Sequence, residues 1–167
     1  MACPFCHHDH NWTIEEALDR LAKGPALVRA ALANPAKDEL AWAPAPGKWS
    51  PKQVVVHLLD TELVYGVRAR KILSEDDGVL LAYDQDRWAA ACTDGREAAR
   101  AMDTFEALRA DNIGLFRASI ARMDRTGIHP EYGKVSLRDL LLHLSPHDEK
   151  HAAQIRRARE AYRDITR

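Results

Sequence analysis

The chain has 167 residues, of which 46% are hydrophobic and 29% charged, a balance that suits one soluble globular domain and excludes disordered and collagen-like classes. With 24 basic and 25 acidic residues the net charge is -1, so the sequence has no general attraction for phosphate backbones and nucleic acid is not an expected partner. No apolar run approaches the roughly 18 residues that would span a bilayer, so no membrane partner is expected.

The segment at residues 1–11 stands apart as a tail rich in cysteine and histidine, and we treat residues 12–167 as one domain. In the tail, Cys3 and Cys6 have C-x-x-C spacing and precede three histidines, His7, His8 and His10. Two thiolates and an imidazole suit a tetrahedral zinc ion, so the tail is a candidate zinc site, separate from the histidine cluster near the other end of the chain. Because the tail offers no second, well-separated ligand pair, a tail that binds no metal, or binds it only adventitiously, is an equally good interpretation.

The chain contains three cysteines, an odd number that is not typical of a disulfide framework. The third, Cys92, has no evident partner in the sequence and is expected to be a buried thiol. The N-terminus lacks the basic segment and apolar core of a secretory signal. These features favour a reducing, cytoplasmic location.

Capping signals predict where the first two long helices begin. The first should begin after Thr13 and continue, with a kink, through Gly24-Pro25. The second should begin after Ser50 and end near Ser74, because serine is a favoured cap and proline occupies the first helical position.

The second half of the chain predicts two more long helices and no strand. A short helix around residues 84–92 precedes a third long helix at about residues 97–123. The side chains expected to point inward from this helix are Phe105, Leu108, Phe116, Ile120 and Met123. We interpret the glycines and proline of residues 126–133 as helix breakers, after which Ser136 caps a fourth long helix at about residues 137–162.

Four amphipathic helices cannot each bury an apolar stripe alone, and packing them side by side solves this. The sequence therefore predicts an all-α fold, a four-helix bundle. The long segment between the second and third helices, with its own short helix, predicts a crossover connection.

Histidine is the most informative residue type in this chain, which contains eight. His147 and His151 are one helical turn apart and can reach the same metal ion, and His57 lies at the flank of the apolar stripe of the second helix. Three imidazoles leave coordination positions open for water or substrate. The alternatives are surface histidines on the fourth helix and a hydrogen-bonded core histidine at 57. His143, one turn before His147, is interpreted as a neighbour of the site or a core residue.

Three carboxylates near these histidines are candidates for proton transfer. We expect Asp60 to be solvated and Glu62 to lie near the inner stripe of the second helix. Asp148 falls near the middle of an apolar stripe, where it could accept a hydrogen bond from an imidazole or from Trp49, or form an exposed salt bridge. No catalytic residue can be assigned among them.

Four segments of the chain resemble the DinB-like superfamily, and specifically its branch of YfiT-type proteins named as metal-dependent hydrolases. The segments are GKWSPKQVVVHL at 47–58, YDQDRW at 83–88, HPEYGKVSL at 129–137 and HDEKHAAQI at 147–155. The resemblance covers about residues 12–163, and the Cys/His-rich tail lies outside it.

The resemblance implies a four-helix bundle with a crossover that binds a divalent metal, nickel or zinc. It implies one histidine ligand on the second helix and two on the fourth, which correspond to His57, His147 and His151. It also implies a homodimer, and some relatives activate low-molecular-weight thiols.

The leading hypothesis from the sequence is a metal-dependent enzyme, a hydrolase that acts on a small molecule. The alternatives are a metal-dependent thiol S-transferase, with a low-molecular-weight thiol as partner, and a non-catalytic metal-binding or ligand-binding bundle.

Overall fold

The computed structural model describes residues 3–7 and 9–167, and most of these residues are helical. The elements in chain order are α1 (Ile14–Leu32), α2 (Pro51–Ser74), α3 (Gln85–Cys92), α4 (Ala98–Ala118), a 3-10 turn (Ile120–Arg122), β1 (Thr126–His129), β2 (Gly133–Ser136), α5 (Leu137–Leu144) and α6 (His147–Ile165).

Reciprocal capping boxes fix the first residues of α1, α2 and α5. At α1, the Thr13 hydroxyl accepts a hydrogen bond from the Glu16 amide, and the Glu16 carboxylate accepts one from the Thr13 amide. Ser50 and Gln53 form the same pair at α2. The predicted starts of α1 and α2 are confirmed, and α1 continues through Pro25 as one helix.

The long helices form a four-helix bundle in which α5 and α6 together make the fourth member. Helix α1 packs on α4 and α6, and α2 packs on the same two helices. The consecutive helices α1 and α2 therefore occupy opposite corners of the bundle, so the fold has a crossover connection as predicted. Its position was predicted wrongly, because the crossover joins α1 to α2, whereas α2 and α4, which the long segment joins, are neighbours. The largest fully buried side chains include Leu21, Leu58, Phe105, Phe116, Leu137 and Leu144. Among the described residues, no helix is both long enough and apolar enough to cross a lipid bilayer.

A short hairpin between α4 and α5 contradicts the expectation that the chain has no strand. Strands β1 and β2 pair antiparallel, with Thr126 opposite Ser136 and His129 opposite Gly133. Gly133 has a φ of +69°, a conformation that glycine adopts without strain. Four-residue strands are too short for an alternating pattern to be visible, and their glycines were interpreted only as helix breakers.

The predicted fourth helix is divided in two at Ser145 and Pro146. Proline has no backbone N–H, so the hydrogen-bond ladder is interrupted there. The backbone nevertheless stays in the helical region at both residues, and α6 follows α5 closely. The histidines at 147 and 151 consequently lie in the first turns of a new helix.

Two residues are not where the sequence analysis placed them. The third long helix ends at Ala118 rather than near residue 123, and the 3-10 turn that follows changes the direction of its side chains. Ile120 is 47% exposed as a result and does not point inward. Cys92, expected to be buried, is exposed because it is the last residue of a short helix whose buried residue is Ala89.

Candidate metal centre

Helices α2 and α6 bring three imidazoles together where they pack against each other. The Nε2 atom of His147 lies 3.4 Å from Nε2 of His57 and 3.2 Å from Nε2 of His151. The ligand atoms of the three residues all lie within 4.8 Å of one another. The structure thus brings together the three histidines selected from the sequence, and His57 and His151 are buried.

The spacing of these nitrogens fits a shared metal ion. Two nitrogens of a tetrahedral zinc site, each about 2.0–2.1 Å from the metal, are roughly 3.3 Å apart. The two measured Nε2 separations in this cluster are close to that value. The tautomer of His151 fits as well, because the Gln154 amide oxygen lies 2.9 Å from its Nδ1 atom and can only accept a hydrogen bond, so Nδ1 carries the proton. His151 therefore directs the lone pair of Nε2 into the cluster.

Burial keeps these imidazoles neutral, which is the protonation state of a metal ligand. It lowers the pKa of His57 to about 3, with further contributions from His151 and Lys150. It also lowers the pKa of His151 to about 4, although the hydrogen bond with Gln154 acts in the opposite direction. The pKa of His147 is well below its usual value, first through burial and then through the neighbouring histidines.

One aromatic residue and two hydroxyls surround the histidines. The Trp49 ring packs on His57, with centroids 4.7 Å apart, and stacks on His151 at 6.4 Å. The Thr61 hydroxyl donates to the backbone oxygen of His57 at 2.8 Å and lies 3.2 Å from the Tyr83 hydroxyl. Because the Thr61 proton is already used, Tyr83 is the donor in this contact. Burial raises the pKa of Tyr83, so its hydroxyl keeps its proton at neutral pH.

The three histidines line a cavity of about 730 Å³. Aromatic and polar side chains both form its wall, and charged side chains of both signs contribute to it: Lys48, Arg68, Asp84, Asp86, Glu131 and Lys150. Protein sites for small molecules typically have volumes of about 300–1,000 Å³. The cavity therefore has the size for a small polar molecule beside the histidines.

The three candidate carboxylates are engaged elsewhere, and none of them lines this cavity. Asp60 is buried beside Arg96 rather than solvated, and burial raises its pKa. Glu62 and Asp148 both form buried ion pairs with Arg109, so Asp148 contacts neither an imidazole nor Trp49 and is not exposed. As candidates for proton transfer these residues gain no support, because each carboxylate is paired with an arginine.

The sequence analysis missed Arg109, which holds this network. Arginine is usually exposed, and nothing in the local sequence marks this one as buried. The signal was indirect: two carboxylates placed near apolar stripes require a buried cation, and Arg109 is on the inward face of α4, one turn after Phe105. Gln154 was also missed, although its position three residues after His151 predicts contact on one helix face.

The tail meets the bundle close to this cavity. Cys3 is buried, and its Sγ atom lies 3.6 Å from Nδ1 of His143 on α5. Cys6 lies 3.2 Å from Nε2 of His10. Of the other tail histidines considered as zinc ligands, His7 is exposed, and His8 lies outside the described residues.

Comparison with known proteins identifies relatives over most of the chain. A family model described as the DinB superfamily matches residues 12–155. A protein of Oceanobacillus iheyensis named "Putative metal-dependent hydrolase" is 26% identical, and the match covers 87% of this chain and 85% of the relative. A second protein of that organism with the same description is 25% identical, over 71% of this chain and 69% of the relative.

A solved structure has the same fold. It is YfiT from Bacillus subtilis, described as a probable metal-dependent hydrolase with an unusual four-helix bundle topology. The TM-score is 0.77 at 19% identity, and the match covers 90% of this chain and 91% of the other.

Proposed function

Because this chain belongs to the DinB superfamily, we propose that it is a metal-dependent hydrolase that acts on a small molecule at the centre formed by His57, His147 and His151. The observation that carries the proposal is the convergence of three neutral imidazoles on one wall of a cavity large enough for a substrate. The metal would be nickel or zinc, since imidazole nitrogen suits both.

A divalent metal bound there would supply Lewis-acid chemistry, lowering the pKa of a coordinated water and polarising a substrate oxygen. The protein's own contribution is to hold the ligands in place. Gln154 fixes the tautomer of His151, and Trp49 packs against two of the three rings. Supporting contacts of this kind orient metal ligands in many metalloenzymes.

Tyr83 is the proton donor best placed to act on a substrate in this cavity. Its hydroxyl is protonated at neutral pH and lies beside Thr61, one hydroxyl away from His57. It can transfer its hydrogen bond from Thr61 to a substrate oxygen. The acidic side chains that line the cavity, Asp84, Asp86 and Glu131, are at its exposed rim, where they can contact polar groups of the substrate.

Thiol S-transfer is the second candidate function, and the charged wall of the cavity favours it. Low-molecular-weight thiols commonly carry charged groups, which the lysines and the carboxylates that line the cavity could bind. A metal at the three histidines would stabilise a thiolate. The two functions differ in whether a thiol is consumed.

The test is a panel of esters, amides and thiol-acceptor pairs assayed with protein loaded with nickel or zinc. We expect turnover that requires metal and falls at least about a hundredfold in His151→Ala, because ligand removal abolishes binding at the centre. His7→Asn is the matched control and should leave turnover unchanged, since His7 is exposed in the tail. Metal-dependent loss of the thiol would favour S-transfer. Stoichiometric metal with no turnover on any substrate would favour a binding protein.

Three expectations from the sequence stay predictions. They are a homodimer, a cytoplasmic location, and the division into a tail at residues 1–11 and a domain at 12–167. Light scattering on the purified chain tests the first. The second agrees with three free cysteines, and removal of the tail followed by thermal unfolding tests the third.

A further inference from the structure

We propose that Cys3, Cys6 and His143 form a second metal site, for a thiophilic divalent cation such as Zn²⁺, in which the tail supplies the sulfur ligands and the bundle supplies a nitrogen. The site is separate from the three-histidine centre and does not depend on the function proposed for that centre. It also differs from a metal clip confined to the tail, because His143 belongs to α5.

The separations of the ligand atoms support this assignment. The Sγ atoms of the two cysteines and the ligand nitrogen of His143 all lie within 4.8 Å of one another. In a tetrahedral zinc site, with bonds of about 2.3 Å to sulfur and 2.0–2.1 Å to nitrogen, a sulfur and a nitrogen are roughly 3.6 Å apart. The measured separation of Cys3 Sγ and His143 Nδ1 is 3.6 Å.

The backbone of the tail arranges the two thiols on the same side. Residues 4–6 form a turn, closed by a hydrogen bond from the His7 amide to the Cys3 oxygen at 2.8 Å. A turn of this size is how C-x-x-C segments present two sulfurs to one zinc ion. The ligand set that converges is therefore two sulfurs and one nitrogen. His10, whose Nε2 lies 3.2 Å from Cys6 Sγ, contacts one of these sulfurs but lies outside the set.

The tail is packed onto the bundle, so its cysteines are held beside His143. Cys3 is only 4% exposed although it is the third residue of the chain. The Phe5 ring of the same tail packs against three rings of the bundle. Its centroid lies 5.8 Å from that of Tyr65, 5.1 Å from that of Tyr132 and 4.9 Å from that of His143. Phe5 and Cys6 both line the cavity of the three-histidine centre. A metal at the second site would therefore hold the tail in place, where it forms part of the cavity wall.

His143 links the two sites along one helical row. It is followed at four-residue intervals by His147 and His151, and its ring centroid is 6.1 Å from that of His147. The family model begins at residue 12, so both sulfur ligands lie outside the matched segment.

The experiment measures bound metal in the full-length protein after chelator treatment and reconstitution with Zn²⁺, and records the spectrum after reconstitution with Co²⁺. We expect two equivalents of zinc per chain and a thiolate-to-cobalt charge-transfer band. The double variant Cys3→Ser/Cys6→Ser and the variant His143→Ala should each bind one equivalent, and the double variant should lose the band. His151→Ala should lose the other equivalent and keep the band.

His7→Asn is the control, because it removes an exposed tail histidine that is not in the cluster and asparagine tolerates the positive φ of this position. It should keep both equivalents. A cobalt spectrum with no thiolate band, or a His143→Ala variant that binds as many equivalents as the wild type, would overturn the proposal. A single equivalent in the wild type together with the thiolate band would instead count against the three-histidine centre. If a variant unfolds and loses both equivalents of zinc, the cobalt spectrum of the wild type still shows whether a thiolate binds the metal.

Discussion

The guanidinium group of Arg109 donates hydrogen bonds to both carboxylate oxygens of Asp148, the residue directly after His147. The same group donates to Glu62 at 2.9 Å and to the backbone oxygen of Leu21 at 3.0 Å. One buried cation therefore joins α4 to α6, α2 and α1. Because it holds the first turn of α6, this network positions the helix that carries two of the three histidines.

Replacing Arg109 by leucine should destabilise the protein strongly. It would leave Glu62 and Asp148 buried without their counter-charge, and breaking a buried pair in this way costs about 3–5 kcal/mol. Arg29→Leu is the control, because the ion pairs of Arg29 with Asp103 and Glu106 are on the surface and contribute about 1 kcal/mol or less. Urea unfolding of both variants measures the difference. Equal losses in the two variants would show that the buried network is not what stabilises the bundle.

Gly24→Ala should also destabilise the protein, although alanine is usually better than glycine in a helix by about 1 kcal/mol. A Cβ atom at this position would overlap the carboxylate of Asp148, which Arg109 prevents from moving aside. We expect a net loss of about 1–3 kcal/mol from overpacking.

Gly114→Ala is the matched control for that substitution. Gly114 is within α4, and a Cβ atom there has nothing within 4 Å. This variant should gain up to about 1 kcal/mol from helix propensity. Thermal unfolding of the two variants side by side checks the opposite signs, and a stabilised Gly24→Ala variant would contradict the packing of α1 on α6.

The stability contributed by Glu39 should disappear in acid. Burial alone would raise the pKa of Glu39, but hydrogen bonds from Arg159 and the Ala36 amide, together with Arg163, lower it below the usual 4.5. A carboxyl whose pKa is lowered on folding contributes its full stability above the unfolded pKa and loses it as pH falls through the folded pKa. Glu39→Gln should therefore cost about 3 kcal/mol at pH 7, since it leaves Arg159 unpaired.

Urea unfolding of the wild type and Glu39→Gln between pH 7 and pH 3 checks this. The difference in the free energy of unfolding between wild type and Glu39→Gln should be constant down to about pH 4.5 and should become smaller below that pH. Glu97→Gln is the control, because Glu97 is exposed and its side chain makes no capping hydrogen bond. Its free energy of unfolding should equal that of the wild type at every pH. A difference that is unchanged at the lowest pH would exclude the ion pair as its source.

Tyr83→Phe tests the proposed proton donor. The variant should fold and bind metal normally, and its kcat should fall about a hundredfold with little change in KM, because the lost hydroxyl acts in the transition state. Tyr162→Phe is the control, since its hydroxyl donates to the Lys37 oxygen at 2.8 Å and is remote from the cavity. An unchanged kcat in Tyr83→Phe would remove this residue from the mechanism.

Much of the fold follows from local signals in the sequence. Thr13 and Ser50 carry capping information that acts over three residues, so the starts of α1 and α2 could be predicted directly. The β1–β2 hairpin could not, because four-residue strands are specified by their contacts with the rest of the protein. Ser145-Pro146 is an intermediate case, because a proline interrupts the hydrogen-bond ladder of a helix but does not by itself show whether the helix continues.

The same distinction holds at the site. His147 and His151 are related by helical periodicity alone, whereas the distance from either to His57 depends on how α2 packs on α6. The partner of Asp148 was not predictable locally, since Arg109 is 39 residues away in the chain. The contact between Cys3 and His143 spans 140 residues, and only the folded chain shows it.

The central claim is that His57, His147 and His151 bind one metal ion through their Nε2 atoms. Anomalous diffraction from crystals of the nickel- or zinc-loaded protein, recorded on both sides of the metal's absorption edge, tests it directly. We predict a peak within about 2.2 Å of all three Nε2 atoms. No peak among these rings in fully loaded crystals, or a peak that one of the three rings does not reach, would contradict the account.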